Sequence, residues 1–281
     1  MLLRGLQVLE TFTPEQPALT MVEVAERAGI HRAAARRYLL TLTELGYLRT
    51  EPGPSAYGSP RWRLTPRALR LGYSCLASLD VWRIIEPYIG DVATATGLAA
   101  DATVLDEQDA VCVASAPLEG ILKIHLPAGA RYPAEQTTGG RVLLAGRSPA
   151  DLEAWLGEAD PSIDAEQLRT VLKEVTTQGY AVAEGELEPG LWSMAVPVRQ
   201  RDRVVAALNV SGHTALQLPE RERDHKLLPT LRHAAALIGE AGATHPSGLW
   251  LGATARLRRT KRPQQAVART VPFRYASDGR R

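Results

Sequence analysis

Between residues 20 and 49 the apolar positions recur at helical spacing twice, with one short break between the two runs. Met21, Val24, Ala25 and Ala28 make the first stripe, and Ala35, Tyr38, Leu39, Leu42 and Leu45 make a second that is expected to be buried. Two amphipathic helices are therefore predicted. Thr20 followed three residues later by Glu23 is the capping-box pattern that opens the first. Gly29 supplies the backbone freedom that a sharp helix-to-helix turn demands, and Ile30 is placed to fill the apolar wedge between the helices. The pattern predicts a helix-turn-helix, with Ala33, Arg36 and Arg37 off the buried stripe.

Gly46 ends the second helix, and the alternation then changes to that of strands. Tyr47–Thr50 and Arg61–Leu64 flank a tip rich in proline and glycine, the pattern of a hairpin wing; a plain linker loop is the other reading. Pro66 starts a short connecting helix over Arg67–Leu79. Beyond it the pattern predicts a helix over Val81–Thr96 and strands over Ala102–Leu105, Val111–Ser115 and Ile121–Leu126. Helices follow over Thr138–Ala145, Pro149–Leu156 and Asp164–Gln178, then strands over Tyr180–Ala183, Leu191–Val198 and Val204–Val210. A last helix runs from about Pro219 to Glu240. Strands in runs, then helices in runs, predict an α+β domain built on an antiparallel sheet.

Charge divides the chain at the same places. Residues 1–75 hold ten basic and six acidic side chains, a net +4, whereas 76–242 carry −10 and 243–281 carry +8. DNA contact is thus expected of the amino-terminal segment, since phosphates repel an acidic surface. The expected organisation is a winged helix-turn-helix domain (1–65), a connecting helix (66–79), an effector and oligomerisation domain (80–242) and a basic, disordered tail (243–281). No apolar run approaches a bilayer span, no signal-peptide pattern opens the chain, and the two cysteines lack metal spacing, so a cytoplasmic protein is expected.

On the second helix, small residues at Ala33 and Ala34 would let the backbone approach base edges, while Arg36 and Arg37 can pair with phosphate or with guanine. His31, Arg32 and Thr20 complete the expected DNA-facing set on the helix pair. In the wing, Arg49, Arg61 and Arg63 are expected along the sugar-phosphate backbone. In the body, Thr137, Thr138, Gly139 and Gly140 lie at the start of a helix, where amides, hydroxyls and the helix dipole favour an anion. Simple capping, with glycines permitting close packing, explains the same residues equally well. The six histidines are scattered, and no nucleophile motif, phosphate loop or metal spacing is present, so no catalytic residue, metal or cofactor is assigned.

Several of these segments resemble, in order, the blocks of the IclR family of transcriptional regulators: GIHRAAARRYLLTLTELGYL (29–48), TTGGRVLLA (137–145), ELEPGLWSMAVPV (186–198) and RVVAALNVSG (203–212). The first is most similar to members that regulate protocatechuate, 4-hydroxybenzoate and β-ketoadipate-pathway genes. The resemblance covers nearly all of residues 1–242. It implies a winged helix joined to a GAF-like effector domain, assembled as a dimer or dimer of dimers on double-stranded operator DNA. It also implies a small organic acid effector and contact with RNA polymerase. By similarity of position, Ser193, Asn209 and Ser211 would point into the effector pocket and Glu186 would border it. Three departures stand out: Gly139 where a small or sulfur-bearing residue is typical, Trp192 as a bulky neighbour on the pocket strand, and Gln136 where an apolar or smaller residue is common. A DNA-binding dimer without an effector is the alternative, and an enzyme carrying a GAF-like domain a distant third.

Overall fold

The computed structural model describes residues 2–13, 16–53, 58–78, 80–117, 126–186, 189–214 and 223–244. The strand expected to start at Ile121, the beginning of the last helix at Pro219 and the basic tail after residue 244 lie outside them. The described chain divides into two compact units between Cys75 and Leu76.

In the first unit, α1 (Leu2–Glu10), α2 (Met21–Arg27) and α3 (Arg32–Glu44) pack with strands β1 (Ala18–Thr20), β2 (Leu48–Glu51) and β3 (Arg61–Leu64). Thr20 caps α2 reciprocally: its hydroxyl accepts from the Glu23 amide while its own amide donates to the Glu23 carboxylate at 2.7 Å. Gly29 has φ +60°, the left-handed conformation the turn requires. Val24, Ala25, Ala28, Ala35, Leu39 and Leu42 form the shared core with Val8, Leu19, Leu48 and Trp62.

The buried stripe is shorter than expected. Leu45 is 50% exposed, because α3 ends at Glu44 and the chain turns away through Gly46 (φ +75°) before the stripe completes another turn; Tyr38 is half-buried. The wing strands pair antiparallel, with Thr50 opposite Trp62. They gain a third member that the periodicity did not predict, because β1 has only three residues; the sheet order is β1-β3-β2.

A 3-10 turn at Pro66–Ala68 leads into α4 (Leu69–Ser78), which is followed by α5 (Asp80–Thr96). The second unit is built on one six-stranded antiparallel sheet, order β6-β5-β4-β9-β8-β7. Its strands are β4 (Ala99–Asp106), β5 (Asp109–Ala116), β6 (Arg131–Pro133), β7 (Ala181–Glu184), β8 (Leu191–Gln200) and β9 (Arg203–His213). β4 starts three residues earlier than the pattern suggested, and β6 was not expected.

One sheet face buries Ala100, Val104, Trp192, Met194, Val196, Leu208 and Val210 against α5 and α9 (Leu228–Thr244). The other carries α6 (Thr138–Ala145), with α7 (Pro149–Glu158) and α8 (Ala165–Gln178) outside it. Because side chains alternate along a strand, this layering decides which residues of β4, β8 and β9 look toward α6. Asp101, Thr103, Ser193, Asn209 and Ser211 look that way, beside the apolar Leu105, Ala195 and Ala207 that pack under α6.

Candidate DNA-binding face and effector site

On α3 the face opposite Ala35, Leu39 and Leu42 presents His31, Arg32, Ala33, Arg36 and Arg37 to solvent, with Ala34 half-buried beside them. Arg32, Arg36 and Arg37 make no ion pair among the described residues, and the Arg37 guanidinium rests 5.6 Å from the centre of the Tyr38 ring. His31 is the helix N-cap residue, but its side chain makes no capping bond. Small residues flanked by exposed guanidinium groups at the amino-terminal end of a helix suit entry into a major groove.

The wing arginines are engaged within the domain. Arg49 and Arg63 both reach Glu51, at 2.8 and 3.1 Å. Arg61 donates to the Ala18 carbonyl at 3.0 Å and thereby ties β3 to β1. Thr20 is likewise committed: its hydroxyl donates to Glu23 at 2.9 Å, and the hydrogen bond from the Thr20 amide leads the causes that hold the Glu23 carboxyl below its usual range. Glu51 is a wing residue that the sequence pattern does not mark; its ion pair with Arg63 follows from the strand register.

In the second unit, Thr137 caps α6, its hydroxyl accepting from the Gly140 amide at 3.0 Å. The two glycines sit against their neighbours. A Cβ on Gly139 would lie 2.3 Å from Thr103 Oγ1 and 2.6 Å from Asn209 Oδ1, and one on Gly140 would lie 2.1 Å from the Ala134 carbonyl oxygen. Both capping and close packing are therefore present. Beneath the helix, the Thr138 hydroxyl donates to Ser193 Oγ at 3.2 Å, and Thr138, Asn209 and Ser211 are buried.

Asn209 is the centre of a polar cluster. Its amide nitrogen donates to Asp101 Oδ2 at 2.8 Å and to Thr103 Oγ1 at 3.3 Å, while its Oδ1 is buried without a hydrogen-bond partner. Asp101 is 3% exposed, and burial pushes its carboxyl up to about 7, the Asn209 hydrogen bond pulling it back only in part. Neither Asp101 nor Thr103 was assigned to the site from sequence. A strand expected to begin at Ala102 leaves Asp101 outside the alternation that puts it on Asn209's side.

At the rim, Arg141 of α6 donates through Nε to the Glu135 carbonyl at 2.8 Å and through both terminal nitrogens to Glu186. The Arg141 side chain is 13% exposed and that of Glu186 41%, so the pair is a bidentate fork anchored on its buried cationic side. Gln136 is a surface amide that bonds Glu135. Trp192 does not neighbour the cluster: it lies on the opposite sheet face, in the core under α5 and α9, because it alternates with Ser193.

Among the described residues, no group of three or more His, Cys, Asp and Glu could hold a metal ion, and no helix is long and apolar enough to cross a membrane. Residues 1–52 match the IclR helix-turn-helix domain, and residues 73–240 match the bacterial transcriptional regulator IclR C-terminal domain. The chain is 34% identical over 243 residues to the Pca regulon regulatory protein of Pseudomonas putida, covering 83% of this chain and 81% of that one. It is 34% identical over 252 residues to the p-hydroxybenzoate hydroxylase transcriptional activator of Acinetobacter baylyi, covering 83% and 88%. Among solved structures it is similar to a transcriptional regulator of Rhodococcus sp. RHA1, with a TM-score of 0.71, 35% identity and coverage of 85% and 96%.

Proposed function

The chain belongs to the IclR family of bacterial DNA-binding transcriptional regulators, and from that premise we propose which of its residues read DNA and which bind an effector. The observation that carries the DNA half is the exposed face of α3, where Arg32, Arg36 and Arg37 have no ion-pair partner among the described residues. Arg36 and Arg37 reach base edges or phosphates, and Ala33 and Ala34 allow the helix to sit deep in the groove. The wing contributes through Arg49 and Arg63, whose charge is partly offset by Glu51. Arg61 and Thr20 shape the surface more than they touch DNA, since their polar atoms are used inside the domain. Double-stranded operator DNA is read by a dimer or dimer of dimers in the cytoplasm, the two recognition helices lying about one helical turn of DNA apart or a multiple of that.

Arg36→Ala and Arg37→Ala should each weaken binding to operator DNA selected from a random-sequence pool by the wild-type protein, by about 5- to 150-fold, the range of one lost arginine contact, without changing the thermal midpoint. Electrophoretic shifts with excess competitor DNA measure this. Unchanged shifts would remove both residues from the interface.

The effector is a small organic acid bound in the 80–242 domain. Thr138, Ser193, Asn209 and Ser211 gather on one side of the sheet beneath the start of α6, and Asn209 Oδ1 there lacks a partner. Gly139 and Gly140 let the helix come close enough to form that roof, and Glu186 closes its edge through Arg141. The likeness to regulators of the Pca regulon and of p-hydroxybenzoate hydroxylase favours an aromatic acid. Scanning thermal unfolding with 4-hydroxybenzoate, protocatechuate and aliphatic dicarboxylates tests it: a specific acid raises the midpoint in a saturable way. Control of RNA polymerase recruitment by the bound acid completes the proposal; no catalytic role is assigned.

A further inference from the structure

Asp101 stands in a place where an acid-binding site should not hold an acid. It lies on β4 directly opposite Asn209 of β9, 3% exposed, in the polar cluster roofed by the start of α6. Its hydrogen-bonding partners are neutral. Asn209 donates to it at 2.8 Å, and Thr103 two residues along the strand shares the same amide. On β5, Ser115 pairs with Asp101, and the buried Cys112 thiol, paired with Thr103, is pushed up by burial and by Asp101, so it stays protonated. From α6 come Thr138, whose hydroxyl goes to Ser193, and Gly139, packed on Thr103 and Asn209. At the rim, Arg141 is occupied: it forks onto Glu186 and bonds the Glu135 carbonyl. Glu135 is itself raised, chiefly by burial. Among the described residues, then, no cation compensates Asp101.

Two carboxylates sharing one poorly solvated cluster cannot both remain ionised without a large repulsion; one of them takes a proton. The orphaned Asn209 Oδ1 adds a second requirement, because it is an acceptor in want of a donor. We propose that Asp101 is a specificity-determining residue of the effector site, binding the effector's acid group as a neutral carboxylic acid, so that each acid anion enters together with one proton from solvent. The exchange balances simply: an anionic effector, one solvent proton and ionised Asp101 give a complex in which Asp101 Oδ–H donates to the effector carboxylate. The same cluster then discriminates against dianions, for which a second proton would be needed. It favours a monoacid bearing a hydroxyl or amine that can donate to Asn209 Oδ1.

This inference rests on the effector reading above, and the two can fail separately. Isothermal titration of the full-length protein with 4-hydroxybenzoate and with protocatechuate, at pH 8 in two buffers of different ionisation enthalpy, counts the protons taken up. With the Asp101 carboxyl at about 7, the expected result is uptake approaching one proton per acid at pH 8, little uptake at pH 6, and affinity falling about tenfold per pH unit above 7. Asp101→Asn, nearly the same shape but without the titrating group, should abolish the uptake and leave affinity flat across that range. Binding at pH 8 with no proton exchange in the wild-type protein would overturn the role of Asp101 and leave the pocket standing. No binding of either acid at pH 6, where Asp101 carries its proton, would overturn the aromatic-acid pocket and this inference together. Because the proton count is made on the wild-type chain, the outcome does not depend on the variant folding.

Discussion

At Gly139 and Gly140 a single methyl group separates two roles for a glycine pair at a helix start. The contacts a Cβ would make, 2.3 Å to Thr103 Oγ1 at the first position and 2.1 Å to the Ala134 carbonyl at the second, differ in kind. Thr103 can rotate its hydroxyl aside, whereas the Ala134 backbone cannot move without dragging the 3-10 turn at Ala134–Gln136 that precedes α6. Gly140→Ala should therefore cost more stability than Gly139→Ala, with Gly140→Ala in the upper part of the roughly 1–3 kcal/mol range for overpacking. Equilibrium denaturation of the two variants reads the order directly; equal costs would mean that the backbone relaxes. Asp101 supplies a second prediction. Its carboxyl is raised from 3.8 to about 7, so the folded chain holds a proton there that the unfolded chain releases. Its contribution is thus favourable below about pH 4 and declines as pH rises, reaching its least favourable value above about 7. Asp101→Asn should flatten that decline and stabilise the effector domain at pH 8 by on the order of 2–4 kcal/mol. Thermal midpoints across pH 4–8 that fall equally in both proteins would contradict it.

Among the elements, α2 and α3 were legible because their ends carry chemistry as well as period. The Thr20–Glu23 capping box can be read from two residues, and Thr20→Ala should cost about 1 kcal/mol by removing it, measurable as a lowered midpoint. Elements of three residues could not be read that way: β1 and β6 are shorter than any period that would reveal them. Leu45 fitted the spacing of α3, yet spacing does not say where a helix stops, and Gly46 stopped this one before Leu45 was covered. The face of a strand was legible only when its first residue was. A strand expected to start at Ala102 leaves Asp101 out, while Ser193, Asn209 and Ser211 come from similarity of position to the IclR blocks, Ser211 lying one residue beyond the strand expected over Val204–Val210. The misplacement of Trp192 has the same origin, since a neighbour in sequence along β8 is on the other side of the sheet. Pairings across the chain, such as Arg141 with Glu186 or Arg63 with Glu51, carry no local signal and emerge only from the fold.

For the whole molecule, the division of charge and the division of structure coincide. A net +4 over residues 1–75 accompanies the exposed arginines of α3, and a net −10 over 76–242 accompanies the unit that holds the buried polar cluster. An acidic body leaves the DNA-reading face as the part of residues 1–242 that phosphates attract. Loss of the two α3 arginines should therefore reduce affinity, and should also make it less dependent on salt, by about one unit of slope for each phosphate contact removed. The most direct measurement is an electrophoretic shift series with operator DNA selected by the wild-type protein from a random-sequence pool, comparing the wild-type protein with Arg36→Ala/Arg37→Ala at several salt concentrations. The account predicts specific retardation by the wild type that survives competitor DNA and is lost in the folded double variant. Equal, competitor-resistant retardation by both proteins would contradict the assignment of α3 as the element that reads DNA.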